Sequence, residues 1–362
     1  MNILAEIDQY RQEIATDTYT TTWREIIGQF KDKDLKIDPE YQRLFRWNND
    51  QQTQYIESIL LNIPSPPLFL ATNPKGDFEV IDGLQRISTL IKFFSGEVFE
   101  NDPSPSAPEV PEPENDVRTP LILAEGPIIK SLEGFSASTL PEALVRTVRY
   151  ARITIILLEK ESSPRARYEV FKRLNKQGSM LSDQEIRNCT ARIFGSEFPT
   201  KLRELANRPA IGEALLLSLE DAKKMRIDEM ILRLMAFVYS STLPKHDISE
   251  FLDEFMVFGS EGKFKIDSAV EAQIEATFKL INDAFPDGKA FRFAKSGFST
   301  NLFDVVATGV YRNLSTLDSL KVAERVGELL LSQELKDVTG AGSNTRKKIA
   351  GRISLGSKWF AN

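Results

Sequence analysis

Cysteine and histidine are almost absent from this chain of 362 residues, which has one of each. The single cysteine, Cys189, cannot form an internal disulfide bond and fits a reducing compartment. We interpret it as a small packing residue on a helix. The single histidine, His246, excludes metal sites built from several histidines, HNH-type nuclease chemistry and most serine–histidine catalysis. We expect it to lie exposed in a loop.

Long hydrophobic runs and a signal peptide are also missing. No stretch long and apolar enough for a membrane span occurs, and MNILAEIDQYRQEI lacks the shape of a secretory signal. We therefore expect a soluble, cytoplasmic protein without membrane association. The length and the 41% hydrophobic content leave room for two or three domains. The net charge of −6 argues against a protein that coats nucleic acid, although it leaves room for a local basic groove.

The chain is organised around the stretch FEVIDGLQRISTLIKFFSG, which begins at Phe78 and ends at Gly96. Its apolar start predicts a short buried strand that Asp82 and Gly83 terminate. From Leu84 onward, the spacing of the apolar residues predicts a helix. A strand that runs through a glycine turn into a helix creates an anion site, because the first N–H groups of the helix have no partner within it.

Three polar side chains converge on this turn. Arg86 can clamp a phosphate with two hydrogen bonds, and Gln85 lies in the same helical turn. Asp82 would repel a phosphate unless it holds a metal ion, orients a water molecule or pairs with an arginine, and this conflict points to chemistry. The alternative is structural, with Asp82 as a helix cap and Arg86 as an ordinary surface arginine. The spacing alone leaves both interpretations open.

A second group of polar residues precedes the first long helix of this region. Gln42, Arg43 and Arg46 lie on a loop, and the helix is predicted from Asn48 to Asn62. The two arginines would form a second clamp that faces Arg86, or they would make ordinary surface ion pairs.

Shorter elements are predicted around these motifs. The threonine-rich segment before TWREIIGQF predicts only the start of a helix, with Thr21 or Thr22 as its cap. The turn-rich residues 73–77 predict a hairpin between strands at 68–71 and 78–81.

The segment from Glu97 to Asp116 has five prolines, seven acidic residues and no lysine or arginine. This composition predicts a loop inserted within the first domain. A strand from Tyr150 to Leu158 and a helix from Arg165 to Asn175 follow, and a glycine ends that helix. Asn175 either belongs to this structural ending or reaches into the same cleft as Asp82.

From Ser182 onward, the sequence predicts only helices. Ser182 and Glu185 form the capping box of the first of them. The segment from Arg226 to Arg233 predicts a charged face of the i,i+4 type.

The C-terminal segment from Arg346 to Asn362 has five basic residues and no acidic residue. Such a segment either contacts nucleic acid through Arg346, Lys347 and Lys348 or docks as a C-terminal helix through Trp359.

Four stretches in this order resemble the N-terminal domain of the GmrSD-type restriction proteins, which belongs to the ParB/sulfiredoxin-like superfamily. The D-G-Q-Q-R signature of the family is matched by residues 82–86, with Leu84 in place of the first glutamine. Its Q-R pair before the first helix matches Gln42 and Arg43, and its F-x-x-L-N-x-x-G-x-x-L pattern matches residues 171–181. The stretches are YQRLFRW, VIDGLQRISTL, the strand ending ILLE, and FKRLNKQGSMLSDQEIRN.

The resemblance implies an α+β fold. A small ParB/sulfiredoxin-like mixed domain is expected over residues 1–181, with the acidic insertion near 97–118, and a mostly helical domain over 182–362. It also implies that a nucleoside triphosphate is bound, with hydrolysis at the motif, in a system that restricts foreign DNA. In the full restriction proteins an HNH nuclease domain follows, and a single histidine does not rebuild one. A separate nuclease subunit is therefore one expected partner. The alternatives are that this protein regulates the system or that the ParB-like domain itself nicks DNA.

The expected roles follow from this resemblance and from the residue types. Asp82, Gln85 and Arg86 would be catalytic, with Asp82 holding Mg²⁺ or orienting the attacking water. The alternatives are a non-catalytic module that binds DNA or a partner, and a ParB-like nuclease, for which we identify no spaced cluster of metal ligands. The residues expected to bind the nucleotide are Gln42, Arg43, Arg46, Gly83 and Asn175, and those expected to bind DNA are Arg346, Lys347 and Lys348.

Overall fold

The computed structural model describes eight ranges of the chain. Within these ranges, the side chains of Gln9 and of residues 175–178 are not described. Gln42, Arg43, His246 and most of the acidic insertion lie outside these ranges, as does the side chain of Asn175. The chain divides into two compact units, Met1–Ser179 and Met180–Asn362. The described ranges are 3–37, 45–73, 75–100, 116–178, 182–241, 248–293, 296–340 and 342–361.

The first unit contains a mixed five-stranded sheet, which confirms the predicted α+β class. Its strands lie in the order β1-β5-β3-β4-β2. The predicted hairpin is confirmed, since β3 and β4 pair antiparallel, while β5 and β2 pair parallel with β3 and β4, respectively. The strands are β1 (Thr16–Thr22), β2 (Leu35–Lys36), β3 (Leu68–Thr72), β4 (Phe78–Asp82) and β5 (Arg152–Leu158).

Strand β1 corrects the prediction that the threonine-rich segment is only the start of a helix. It pairs antiparallel with β5 along its whole length, from Thr16 opposite Leu158 to Thr22 opposite Arg152. Threonine is β-branched and favours strands, but most of β1 is solvent-exposed and lacks the apolar alternation that marks a strand in sequence. Thr22 does precede a helix as predicted, although its side chain makes no capping hydrogen bond.

The core of the first unit is formed by residues of this sheet and of several helices. This core includes five side chains that are almost fully buried, namely Trp23, Ile56, Leu68, Ile87 and Ile155. The helices are α1 (Ile3–Gln12), α2 (Trp23–Lys31), α3 (Asn49–Leu60), α4 (Leu84–Phe93), α5 (Ser95–Val98), α6 (Glu142–Tyr150) and α7 (Pro164–Gly178).

The second unit consists of helices in the ranges that the structure describes. The capping box of Ser182 and Glu185 is confirmed, and Cys189 is buried as predicted. The helices are α8 (Asp183–Ala191), α9 (Glu197–Ala206), α10 (Pro209–Leu215), α11 (Leu219–Lys223), α12 (Arg226–Tyr239), α13 (Ile248–Ser260), α14 (Ser268–Ala284), α15 (Thr300–Arg312), α16 (Ser319–Leu331), α17 (Gln333–Thr339) and α18 (Arg346–Trp359).

The predicted charged face of α12 is wrong in its main part, because two of its charged residues are buried. Asp228 is fully buried and accepts hydrogen bonds from Arg203 and Asn188. Arg233 is also buried and pairs with Asp304, which is bonded in turn to Arg352 of α18. These partners come from distant parts of the chain, so buried ion pairs replace the solvated helix face.

The C-terminal segment forms a docked helix, α18. The indole Nε1 of Trp359 donates a hydrogen bond of 2.9 Å to the carbonyl oxygen of Arg325, and Phe360 is completely buried. This confirms the docking alternative for Trp359. Within the described ranges, every helix is too short or too polar to cross a bilayer.

Candidate functional site

The turn between β4 and α4 has the conformation that the sequence predicts. Asp82 is the last residue of β4, and Gly83 is the N-cap residue of α4 with a φ of 104°. A Cβ atom at this position would overlap the side chain of Leu68. Any residue other than glycine would therefore be strained both in its backbone and in its packing.

Helix α4 begins directly at this turn. Its first intrahelical hydrogen bond joins the N–H of Ile87 to the carbonyl oxygen of Gly83 at 3.0 Å. The N–H groups of the preceding helical residues lie ahead of this bond and have no acceptor within the helix. The turn therefore combines a strand-end carboxylate with the electropositive end of a helix.

Arg86 is largely enclosed by its own domain. Its guanidinium donates to the carbonyl oxygens of Pro66 and Pro67 and, at 3.0 Å, to Oδ2 of Asp82. The side chain of Arg86 is 11% exposed, whereas that of Asp82 is 37% exposed. Arg86 thus joins the segment before β3 to the end of β4, while the side chain of Asp82 stays partly exposed.

A buried tyrosine supports this arrangement from α3. The hydroxyl of Tyr55 is 2.9 Å from Oγ of Ser65, the residue before the two prolines that Arg86 contacts. Burial raises the pKa of Tyr55 to about 12, although the Ser65 hydrogen bond and the nearby Arg86 charge oppose the shift. Tyr55 is therefore a neutral hydroxyl that fixes the start of the segment held by Arg86.

Gln85 connects the turn to the loop before α3. Its Oε1 accepts hydrogen bonds from the backbone N–H groups of Arg46 at 2.9 Å and Trp47 at 3.1 Å. The ring of Trp47 in turn packs edge-on against Tyr55, with 5.6 Å between the ring centroids. The structure thus brings the backbone of Arg46 to the turn.

Several predicted site residues are not brought together with the turn by any described contact. Gln42 and Arg43 lie outside the described residues, and so does the side chain of Asn175. Arg346, Lys347 and Lys348 belong to the first turn of α18 in the second unit.

Sequence reasoning missed the residues that hold Arg86 in place. Tyr55 and Ser65 were not singled out, and neither were the two prolines that follow Ser65. The one available signal was the unusual IPSPP segment, whose prolines leave free carbonyl oxygens for an arginine to bind.

Comparison with known proteins supports the resemblance that the motifs predicted. No curated protein and no solved structure matches the chain. Residues 24–191 match the model of a family described as the GmrSD restriction endonuclease, N-terminal domain. This range begins in α2, contains the turn at Asp82 and ends with α8. Residues 24–191, slightly less than half of the chain, are therefore similar to the N-terminal domain of the GmrSD restriction endonuclease.

Proposed function

We propose that the chain binds a nucleoside triphosphate at the β4–α4 turn and hydrolyses it, within a cytoplasmic system that restricts foreign DNA and defends against phage. The observation that carries this proposal is the position of Asp82, whose half-exposed carboxylate ends β4 directly before the N-terminus of α4. Helix N-terminal amides bind phosphate oxygens, and an adjacent carboxylate suits a metal ion or an attacking water. The similarity of residues 24–191 to this family supports the restriction system.

The proposed metal is Mg²⁺, and the residues present fit an ion that is bound together with the nucleotide. Among the described residues there is no group of three or more histidine, cysteine, aspartate or glutamate side chains that could hold a metal. Mg²⁺ bound with a nucleotide needs only one or two protein carboxylates, because phosphate oxygens and water complete its coordination. Asp82 would supply that carboxylate, and the ion would supply charge neutralisation at the phosphates.

Gln85 and Arg46 complete the proposed site. Because Gln85 binds the backbone of the loop before α3, its role is to hold Arg46 beside the turn. Arg46 is partly exposed and contributes a positive charge for the phosphates. We keep Gly83 in the site for its left-handed backbone and Gln42, Arg43 and Asn175 as proposed nucleotide ligands.

Arg86 has a different proposed role from that of a free phosphate clamp. Its hydrogen bonds to two carbonyl oxygens and to Asp82 already use both terminal nitrogens of its guanidinium. It therefore acts by fixing the orientation of the Asp82 carboxylate relative to the bound nucleotide. Such positioning is the main contribution that a protein makes to phosphoryl transfer.

The test is phosphate release from ATP, GTP and CTP with Mg²⁺, by the wild type and by Asp82→Asn. Asparagine keeps an oxygen that accepts from Arg86 but loses the negative charge, so we expect turnover to fall by about 100-fold. Glu79→Gln is the matched control, since Glu79 lies on the same strand, is exposed, and is not placed in the site. Wild-type turnover by a folded Asp82→Asn protein would refute the assignment.

A second candidate function is a module that binds DNA or a partner nuclease without catalysis. It is favoured by three consecutive cations, Arg346, Lys347 and Lys348, at the N-terminus of α18. The helix dipole disfavours positive charge there, and an anion such as DNA phosphate would relieve the repulsion. Salt-dependent DNA binding that disappears when all three are replaced by glutamine supports this candidate. Unchanged binding removes the segment from consideration.

A further inference from the structure

A small cleft lies at the other end of α4 from the Asp82 turn. It is enclosed by α2, α5 and the end of α6, and it has a volume of about 130 Å³. Since α4 has ten residues, the cleft is about 15 Å along the helix from Asp82. It is therefore a separate feature of the first unit.

Three cations line this cleft and one carboxylate opposes them. Arg24 and Lys31 come from α2, Arg149 comes from α6, and Glu97 comes from α5. Glu97 is already paired, since its two oxygens accept from Arg149 at 2.9 and 2.7 Å. The guanidinium of Arg149 also lies over the ring of Phe94, 4.9 Å from its centroid, so it is held in place.

The other two cations are not neutralised. Arg24 donates to the hydroxyl of Tyr150 at 3.2 Å, and Lys31 donates to the backbone oxygen of Glu97 at 3.2 Å. Both acceptors are uncharged, and within the part of the chain that the structure describes neither cation has a carboxylate partner. The cleft therefore carries two excess positive charges on a chain whose net charge is −6.

The floor of the cleft is shaped by a glycine. Arg24, Gly28 and Lys31 lie on one face of α2 at helical spacing, with Gly28 between the two cations. A Cβ atom on Gly28 would meet no atom within 4 Å, so its absence leaves open space between them. Glycine in the middle of a helix costs stability, and no packing contact at this position requires it.

We propose that this cleft is a second anion site and that it takes a phosphate group of a nucleic-acid backbone. Its volume is about ten times what one water molecule needs, which admits a phosphate group but does not enclose a nucleotide. Arg24 and Lys31 are seven residues apart, about 10 Å along α2. This separation allows the two cations to contact successive phosphate groups of one polymer strand. Tyr150 is 45% exposed and the guanidinium of Arg24 lies over its ring, 5.7 Å from the centroid, so the two side chains offer a cation and an aromatic ring next to each other.

The experiment measures binding of a fluorescein-labelled single-stranded oligodeoxynucleotide to the full chain by anisotropy over a series of salt concentrations. We expect Arg24→Gln and Lys31→Gln each to weaken binding by about threefold to tenfold and to reduce the salt slope by about one. Lys75→Gln removes the same charge from an exposed turn of the same unit, and we expect it to leave the affinity nearly unchanged.

Two further variants separate the cleft from general electrostatics. Gly28→Leu fills the floor without changing any charge, so we expect it to weaken binding as much as the loss of a cation does. Glu97→Gln releases Arg149 and removes the opposing carboxylate, so we expect tighter binding. Wild-type affinity of Gly28→Leu, or an equal loss in Lys75→Gln, would overturn the proposal. Binding of inorganic phosphate without any binding of the oligonucleotide would overturn the nucleic-acid assignment.

Discussion

Asp82 and Arg86 form one ion pair, but the structure predicts very different consequences for removing each partner. Arg86→Ala deletes hydrogen bonds from a charged donor to the carbonyl oxygens of Pro66 and Pro67, as well as the bond to Asp82. Bonds of this kind contribute about 1.5–3 kcal/mol each, and water can partly replace them at Pro66, which is exposed. We therefore expect Arg86→Ala to destabilise the first unit by about 3 kcal/mol.

Asp82→Asn should cost much less. The Asp82 side chain is 37% exposed, so solvent screens its attraction to Arg86, and asparagine keeps an oxygen that accepts the same hydrogen bond. Exposed ion pairs contribute at most about 1 kcal/mol, which sets the upper limit for this variant.

Urea unfolding followed by tryptophan fluorescence measures both changes. Trp23 and Trp47 lie in the first unit, so a Trp359→Phe background makes the signal specific to that unit. With a urea slope of about 2 kcal/mol/M, the midpoint should fall by about 1.5 M for Arg86→Ala and by less than about 0.5 M for Asp82→Asn. Equal shifts in the two variants would refute the inference that Arg86 holds the segment before β3. The result also decides how activity is tested, since only Asp82→Asn changes the site without loosening the domain.

Three further predictions concern glycine and buried charge. Gly83→Ala should destabilise the first unit by about 2 kcal/mol or more, measured in the same urea assay, because it combines a left-handed backbone with an overlap. Asp304→Asn should lower the free energy of unfolding of the second unit by about 3–5 kcal/mol in calorimetry, because Arg233 and Arg352 would share a buried site without a negative charge. Burial raises the pKa of Asp228 from 3.8 to about 6, despite the opposing charge of Arg203. Protonated Asp228 therefore contributes to the free energy of unfolding below pH 4, and this contribution is lost as the pH rises through about 6. Asp228→Asn should lack this pH dependence in urea titrations. A variant with the same pH profile as the wild type would contradict the prediction.

The elements around the turn were predictable because their signals are local. The hairpin of β3 and β4 has turn residues between two apolar runs, and the helix after Gly83 has apolar residues at helical spacing. Strand β1 could not be predicted in this way. It is a mostly exposed edge strand of polar residues, and its pairing with β5, more than a hundred residues later, is invisible in a short window.

Buried charges were missed for the same reason. Arg233 and Asp304 are 71 residues apart in sequence, and Arg233 looked like part of a solvated helix face until its partner was known. The environment of Arg86 is a similar case, since its acceptors are backbone carbonyl oxygens about twenty residues earlier. Residue types identify the groups that can do chemistry, whereas the partners that restrain those groups depend on the tertiary fold.

The geometry of the Asp82 turn also separates nucleotide binding from turnover. Because Arg86 is enclosed and already bonded to Asp82 and two carbonyl oxygens, the attraction for phosphate comes from the N-terminal amides of α4 and from Arg46. The more exposed carboxylate of Asp82 repels phosphate when no metal is bound. Asp82→Asn should therefore bind a nucleoside triphosphate more tightly than the wild type in EDTA, by up to about fivefold for one partly exposed charge, while hydrolysis with Mg²⁺ is lost. Isothermal titration calorimetry measures the nucleotide affinity without Mg²⁺ and the heat of hydrolysis with Mg²⁺. Weaker binding by Asp82→Asn in EDTA would show that the carboxylate does not face the phosphates, and the proposed role of Asp82 would then be untenable.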